Sequence, residues 1–437
     1  MADIAALYGQ LDPGRALEAD DDALYVDWQA ELDGEGEDTK ARLIRTFVRN
    51  ASPEHPITRF LTGHLGSGKT TELNRLTSRL EDGSGGKKVF VSKLLAQRWL
   101  DLGDLQPEDL VFQMVRQLVA DLREAGIDLG ERKLDSFFRA LVERFGNLKL
   151  ESAEIKLDPL SFSFSLEDFP TARTEFRSVL RPQLPTVFDL VNKDLLPDAR
   201  SKLREQHGYD DLLLVVDDLD KIEQRVLTER GLTNLENLFL ENAKTLRALN
   251  CSLLLTVPVE LAYSPARNGL RNTYGAEIVT VPLVPIVGRD GTRLAPGEAA
   301  LVDVLARRAQ RAFGGANATA CAEQIFADRE LLLRVVRLSG GHVRSLLVIM
   351  SELLDRVDAL PIGAETVDRY VPRAGRDLAR GLFESDKTIL RAVEASGEPV
   401  EDTRFFDLLK HLYVFAYEAG SDDDWYGLNP LLQDVTL

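Results

Sequence analysis

Residues 212–216 (Leu-Leu-Leu-Val-Val) and 253–255 (Leu-Leu-Leu) are apolar runs without the one-in-two alternation of a half-exposed strand. Unbroken runs of this length suit strands covered on both faces, as in parallel sheets. The second run extends over 251–258, and shorter strand patterns occur at 57–62, 88–92 and 277–281. Between them the period becomes helical. Leu73, Leu76 and Leu80 share one face of 71–80, and Leu110, Met114, Leu118 and Leu122 share one face of 107–125. Helical patterns also cover 39–50 and 234–249. Strands alternating with helices predict an α/β domain, a parallel sheet sandwiched by helices and joined by right-handed crossovers.

Two regions lie outside that alternation. Residues 126–206 are longer than it needs: a helix is predicted around 134–145, a β-hairpin over 148–166 turning near Asp158-Pro159, and a further helix over 171–195. Such an insertion is expected to contact a partner or a neighbouring subunit. After Pro282, Pro285, Gly288, Gly291, Pro296 and Gly297, which mark a linker, helices are predicted at 299–313, 320–338 and 343–357, with a tight break at Ser339-Gly340-Gly341-His342. The tail reads as helices at 365–370, 377–395 and 404–409, then strands at 412–418 and 425–428. Short helices followed by a hairpin are the order of a winged-helix unit, which binds DNA in some proteins and protein in others. The expected division is an acidic segment (1–50), a nucleotide domain (51–285), an all-α lid (286–360) and a winged-helix-like domain (361–437).

Charge narrows the partners. A formal net charge of −18 over 437 residues repels nucleic-acid phosphates on average, and the wing loop would carry Ser421-Asp422-Asp423-Asp424. Asp20-Asp21-Asp22 and the acids of 31–38 read as solvated charge runs, with the apolar patch 24–28 between them docking on the nucleotide domain. Cys251 and Cys321 are too few for a disulfide framework or a metal cluster and read as core residues in a reducing cytoplasm. The first residues lack a basic, then apolar, leader pattern, and no run of eighteen apolar residues occurs, so neither export nor membrane spanning is expected.

The candidate chemistry begins at Gly63-His64-Leu65-Gly66-Ser67-Gly68-Lys69-Thr70, which fits G-x-x-x-x-G-K-[ST] between a strand and a helix. Gly63, Gly66 and Gly68 can adopt backbone angles that point successive N–H groups at an anion. Lys69 adds a point charge, Thr70 offers a hydroxyl to Mg2+, and Thr71 continues the helix whose N-terminus favours phosphate. Asp217 and Asp218 end the most apolar strand, where ligands bind in open parallel sheets. Asp217 would hold Mg2+ and Asp218 would orient or deprotonate an attacking water. Thr256, ending the next buried strand, is placed to feel a γ-phosphate. Asp220 and Lys221 could form a local ion pair, or Asp220 could contact a neighbouring subunit. Arg267 and Arg271 precede the last core strand and could reach a neighbour's nucleotide, and Arg344, after the Gly340-Gly341 turn, could close the lid on the β/γ-phosphates.

Together GHLGSGKT, LLLVVDDLD, TVPVEL, SGGHVR and the tail resemble AAA+/STAND-type P-loop ATPases, near the origin-recognition-like and bacterial conflict-system branches. The resemblance implies Walker A roles for Lys69 and Thr70, Walker B roles for Asp217 and Asp218, sensor positions for Thr256 and Arg344, and an arginine finger at Arg271 or Arg267. It also implies Mg2+ and ATP as ligands, ATP-dependent association with copies of the chain or with an effector protein, and a place in bacterial antiviral defence. Asp218 departs from the usual Glu by one methylene, which leaves room for slow hydrolysis. A DNA-binding ATPase working through the winged helix and a nucleotide-gated scaffold without turnover remain the alternatives.

Overall fold

The computed structural model describes residues 3–29, 38–130, 136, 170–229, 231–418, 424–433 and 435. The helix predicted around 134–145, the hairpin over 148–166, most of the acidic run 31–38 and most of the acidic wing loop fall outside them. The chain divides into two bodies, Leu43–Thr62 with Leu76–Val279, and Met1–Arg42 with Gly63–Arg75 and Thr280–Leu437.

The first body carries the sheet. Its strands are β1 (Thr58–Thr62), β2 (Val89–Leu95), β3 (Asp211–Asp217), β4 (Ser252–Thr256) and β5 (Ile278–Thr280). They lie in the order β2-β3-β4-β1-β5, and the β2–β3, β3–β4 and β1–β4 ladders are parallel. Every residue of β3 and β4 is buried, as unbroken apolar runs require. Register aligns the strand ends: Leu95 lies opposite Asp217, Val216 opposite Leu255, and Leu61 opposite Thr256. Asp217, Thr256 and the exit of β1 therefore share the carboxyl edge of the sheet.

Two predicted helices are broken. The pattern over 234–249 forms Asn234–Glu236, a π turn at Asn237–Glu241 and Ala243–Leu246. Asn242 Nδ2 donates to Asn237 O (2.8 Å), a side chain competing for a backbone acceptor at the irregular turn. The helix predicted over 171–195 runs as Pro170–Leu180, a 3-10 turn at Arg181–Gln183, Leu184–Leu190, a π turn at Val191–Leu195 and Leu196–His207. Pro182, Pro185 and Pro197 each sit in the first two positions of a segment, where no helical N–H is needed.

In the second body, helices Ala295–Phe313, Arg329–Leu338, Val343–Leu354 and Ala364–Ala379 bury Leu301, Leu305, Val335, Leu346, Met350 and Val367 in one core, joined by Leu7, Leu11 and Val26 from the N-terminal segment. Helices Glu384–Ser396 and Arg404–Lys410 follow, and the antiparallel strands β6 (Val414–Tyr417) and β7 (Trp425–Leu428) complete a winged-helix-like order. Three boundaries differ from expectation. Pro296 starts a helix rather than extending the linker, as proline at a first turn can. The pattern over 320–338 splits into Ala318–Ala322 and Arg329–Leu338, the latter capped by Asp328 Oδ1 accepting from Leu331 N (2.8 Å). The helix expected over 365–370 continues through Pro372 to Ala379, and the next begins only at Glu384. Among the described residues no helix is long and apolar enough to cross a membrane.

Gly297 exists for close approach: a Cβ there would lie 1.9 Å from Pro285 O. Gly297→Ala must displace the Ala295–Phe313 helix from the backbone at 285. A loss of about 1–3 kcal/mol is expected, seen as a lower urea midpoint with an unchanged m-value.

Candidate functional site

The loop leaving β1 has the backbone its glycines predict. Gly63, Gly66 and Gly68 have φ of 147°, 95° and 101°, and the helix Lys69–Glu81 follows at once. A Cβ at Gly68 would meet open space, whereas one at Gly63 would press on Val281 O (2.7 Å) and Ser67 Oγ (2.9 Å). Lys69 is buried and its Nζ donates to the loop's own carbonyls, Gly63 O (2.8 Å) and His64 O (2.9 Å). Ser67 Oγ is buried with no hydrogen-bond partner. A turn of this shape, open over Gly68, ending at a helix N-terminus and holding an ammonium and a spare hydroxyl, suits a polyphosphate. Thr70 is half-buried in the first turn.

The N-terminal segment straps that turn. Thr71 Oγ1 accepts from Leu17 N (3.0 Å), and Asn74 Nδ2 donates to Leu17 O (2.9 Å). Lys40, fully buried, pairs with Glu72 (2.8 Å) and Asp27 (3.1 Å) and donates to the Tyr25 hydroxyl. Burial disfavours the ammonium, but the facing Glu72 and Tyr25 outweigh it and push its pKa up, so Lys40 stays charged. Arg75 lies over the Tyr25 ring (3.6 Å) and pairs with Asp22 (2.7 Å), and Asp21 pairs with Arg15 (2.8 Å). Asp21 and Asp22 thus have cation partners, while Asp20 and Asp22 stay exposed as a solvated run would be.

Arg344 is brought onto the loop: a Cβ at Gly66 would meet its Cβ and Cδ at 2.7 Å and its Nε at 2.8 Å. Its Nε donates to Pro13 O (2.9 Å). His342, two residues earlier, is read from sequence only as part of a turn, yet its Nε2 reaches Leu65 O (3.1 Å) while Nδ1 meets Ser345 Oγ (2.7 Å). His64 Nε2 accepts from Ala416 N (2.9 Å). Burial, reinforced by the Lys69 charge, lowers the His64 pKa to about 4; burial, reinforced by His64 and Arg344, lowers that of His342 to about 3. Both are neutral at physiological pH.

In the sheet body, Asp217 is buried, with Oδ1 accepting from Asp218 N (2.9 Å). Its Oδ2 has no hydrogen-bond partner and lies 3.6 Å from Lys93 Nζ, an ion pair beyond hydrogen-bonding reach. Burial pushes the carboxyl's pKa up, and a cation at Oδ2 would hold it ionised. Among the described residues no group of three or more His, Cys, Asp and Glu could hold a metal alone. A single carboxylate supplemented by hydroxyl, phosphate and water is the usual ligand set of Mg2+. Asp218 adopts a left-handed backbone (φ 71°), and its Oδ1 meets Lys221 Nζ at 2.7 Å, so Lys221 pairs with Asp218. Lys221 also donates to Gln97 (2.6 Å). Thr256 Oγ1 accepts from Leu219 N (3.0 Å), which makes it a clamp on the acidic turn. Arg271 is exposed on Ala266–Tyr274, 3.7 Å from Glu277, and Arg267 is exposed on the same helix.

Lys40→Met would leave Glu72 buried without its cation; a loss of about 3–5 kcal/mol is expected, with much of it restored by adding Glu72→Gln, both read by urea unfolding. The histidines set a pH dependence. Their folded pKa values lie below the unfolded value of about 6.5, so the unfolded chain binds protons the fold excludes, and stability falls as pH drops from about 6.5 towards 4. Each contributes about 1.4 kcal/mol per pH unit in that window. Replacing His342 with Gln is expected to narrow the gap between unfolding free energies at pH 7 and pH 5 by about 2 kcal/mol.

No family model matches the chain, and no curated protein matches it. Among solved structures it is similar to the Walker-type ATPase PABY2304 of Pyrococcus abyssi (15% identity, 97% of this chain and 98% of that one, TM-score 0.42). It is also similar to the Aeropyrum pernix ORC1 protein in complex with DNA (14%, 98% and 96%, TM-score 0.35) and to Cdc6p from Pyrobaculum aerophilum (12%, 97% and 94%, TM-score 0.37). Likeness at this level is too low to bear on what this chain does.

Proposed function

We propose that the protein binds Mg-ATP, hydrolyses it slowly, and uses the nucleotide state to control association with copies of itself or with a partner protein. The observation that supports this most directly is the loop at 63–68, three left-handed glycines open over Gly68 and closed by a buried lysine at a helix N-terminus. In this reading the N–H groups of Gly66 and Gly68, the Ser67 hydroxyl and the ammonium of Lys69 hold the β- and γ-phosphates. His64, Leu65 and Thr71 shape the turn. Thr70 and Asp217 are the ligands assigned to Mg2+, which supplies charge neutralisation on the phosphates. Asp218 takes a proton from the water that attacks the γ-phosphorus, once released from Lys221. Arg344, already across Gly66, steadies the transferred charge, Thr256 positions the acidic turn, and Arg271, exposed, serves a neighbouring copy. The four-part division at 50, 285 and 360 and a role in bacterial antiviral defence belong to the same proposal.

Lys69→Ala is expected to weaken ATP binding about 10- to 100-fold, the worth of a charge-assisted contact to phosphate, measured by titration calorimetry. Asp218→Ala is expected to keep that affinity while phosphate release falls about 100-fold or more. Unchanged affinity in the first variant overturns the site, and unchanged release in the second leaves a binder without turnover.

A further inference from the structure

The phosphate loop and the C-terminal hairpin are joined by a closed circuit of polar contacts, the two to the hairpin buried. His64 Nε2 accepts from Ala416 N of β6 (2.9 Å); the Tyr417 hydroxyl donates to Gly340 O (2.8 Å); and His342 returns to the loop through Leu65 O (3.1 Å). Phe415, fully buried, fills the circuit, its ring 5.8 Å from that of His64 and 6.0 Å from that of His342. The circuit is tight at its glycines. A Cβ at Gly340 would lie 2.3 Å from the Phe415 ring, and one at Gly341 2.0 Å from Val284 O, so the 339–342 turn is packed closely against β6 and against the backbone at 284.

The loop end of this circuit is held by the same lysine that would meet a phosphate. Lys69 Nζ donates to Gly63 O and His64 O, which fixes the peptide from which the His64 side chain projects. An anion that draws the ammonium away takes that partner from Gly63 O, while His64 O keeps Ser67 N (3.0 Å), so it is the Gly63–His64 peptide that must turn to find another donor. Turning the His64 peptide carries its imidazole off Ala416 N. Because His64 is neutral and Nε2 is its acceptor, no second lone pair on the ring can take over that bond.

We propose that His64 is a coupling residue that reports occupancy of the phosphate loop to the β6–β7 hairpin, by exchanging the Lys69–carbonyl contacts for Lys69–phosphate contacts and releasing Ala416 N. The inference rests on the reading of 63–70 as a nucleotide site. Its output would be felt on the far side of the hairpin, where Tyr417 and Trp425, stacked at 4.2 Å, line a cavity of about 730 Å³ with Arg289, Arg334 and Arg337.

The test is hydrogen exchange at the Ala416 amide of the full chain, with and without saturating Mg-ATP whose binding is confirmed by calorimetry. ATP should accelerate exchange about tenfold, the worth of one net hydrogen bond. His64→Leu should exchange fast with or without ATP, a response below about twofold, and His64→Gln, which keeps an acceptor, should restore part of the effect. Trp425 fluorescence, read with Trp28 and Trp99 replaced by Phe, should shift in step. ATP bound without a change at Ala416, or an undiminished response in His64→Leu, overturns the coupling alone; no ATP bound overturns the nucleotide site and the coupling with it.

Discussion

A buried ammonium cannot be left without oxygen partners, and the loop at 63–68 is folded around that requirement. Lys69 has its charge inside the turn, and the turn supplies two of its own carbonyls, Gly63 O and His64 O. Three consequences follow from one side chain. The loop keeps its shape without an anion, since the lysine does from within what a phosphate would do from outside. The glycines are needed twice over, for backbone angles and because Cβ atoms at Gly63 and Gly66 would strike Val281 and Arg344. The residues that shape the loop, His64 and Leu65, are tied through side chain and carbonyl to β6 and to the 339–342 turn, so the charge balance of the turn is mechanically connected to the end of the chain.

The acidic N-terminal segment has a related task. Its acids are spent on specific cations: Asp27 and Asp38 on Lys40, Asp22 on Arg75, Asp21 on Arg15 and Arg311. Exposed pairs of this kind add little stability, but Lys40 with Glu72 is buried, and such a pair favours one register over others because any slip strands a charge. The first turns of the Lys69–Glu81 helix are thus fixed from the outside by polar contacts as well as by burial of Leu73. A helix that presents its N-terminus to an anion gains from such a restraint, since the dipole is useful only if its direction is held.

Local signals carried the sheet and the loop. An unbroken apolar run ending in Asp217-Asp218 and a glycine pattern ending in Lys69-Thr70 are determined by residues within a few positions of one another, and the strands and the left-handed glycines lie where those patterns put them. Contacts between distant residues left no such mark. His342 meeting Leu65, Ala416 donating to His64, and Pro13 accepting from Arg344 each join residues hundreds of positions apart, and the partner in every case includes a backbone atom that any side chain could accompany. Helix interruptions fall between these extremes. Asp328 before Arg329-Glu330-Leu331 is a readable N-cap that the longer apolar period obscured, whereas the helix running through Pro372 is sustained by burial of Val367, Tyr370 and Val371 before the proline and of Gly375 after it, which local propensity does not report.

The acidic turn shows how a short side chain can be compensated and restrained at once. Asp218 takes a left-handed backbone, a conformation that costs a non-glycine residue about 1–2 kcal/mol and that aspartate tolerates better than most. Such strain persists only where surroundings over-determine it, and here Asp217 Oδ1 holds Asp218 N while Thr256 Oγ1 holds Leu219 N, one bond on each side. The turn is rigid, yet the carboxylate it presents is engaged by Lys221, itself steadied by Gln97. A carboxylate engaged by a cation at 2.7 Å must leave that partner before it can turn to a water, and shortening Glu to Asp reduces its reach. Chain length and ion pairing are independent causes, and both support the proposed slow turnover, in which the nucleotide-bound state outlives the bond cleavage that ends it.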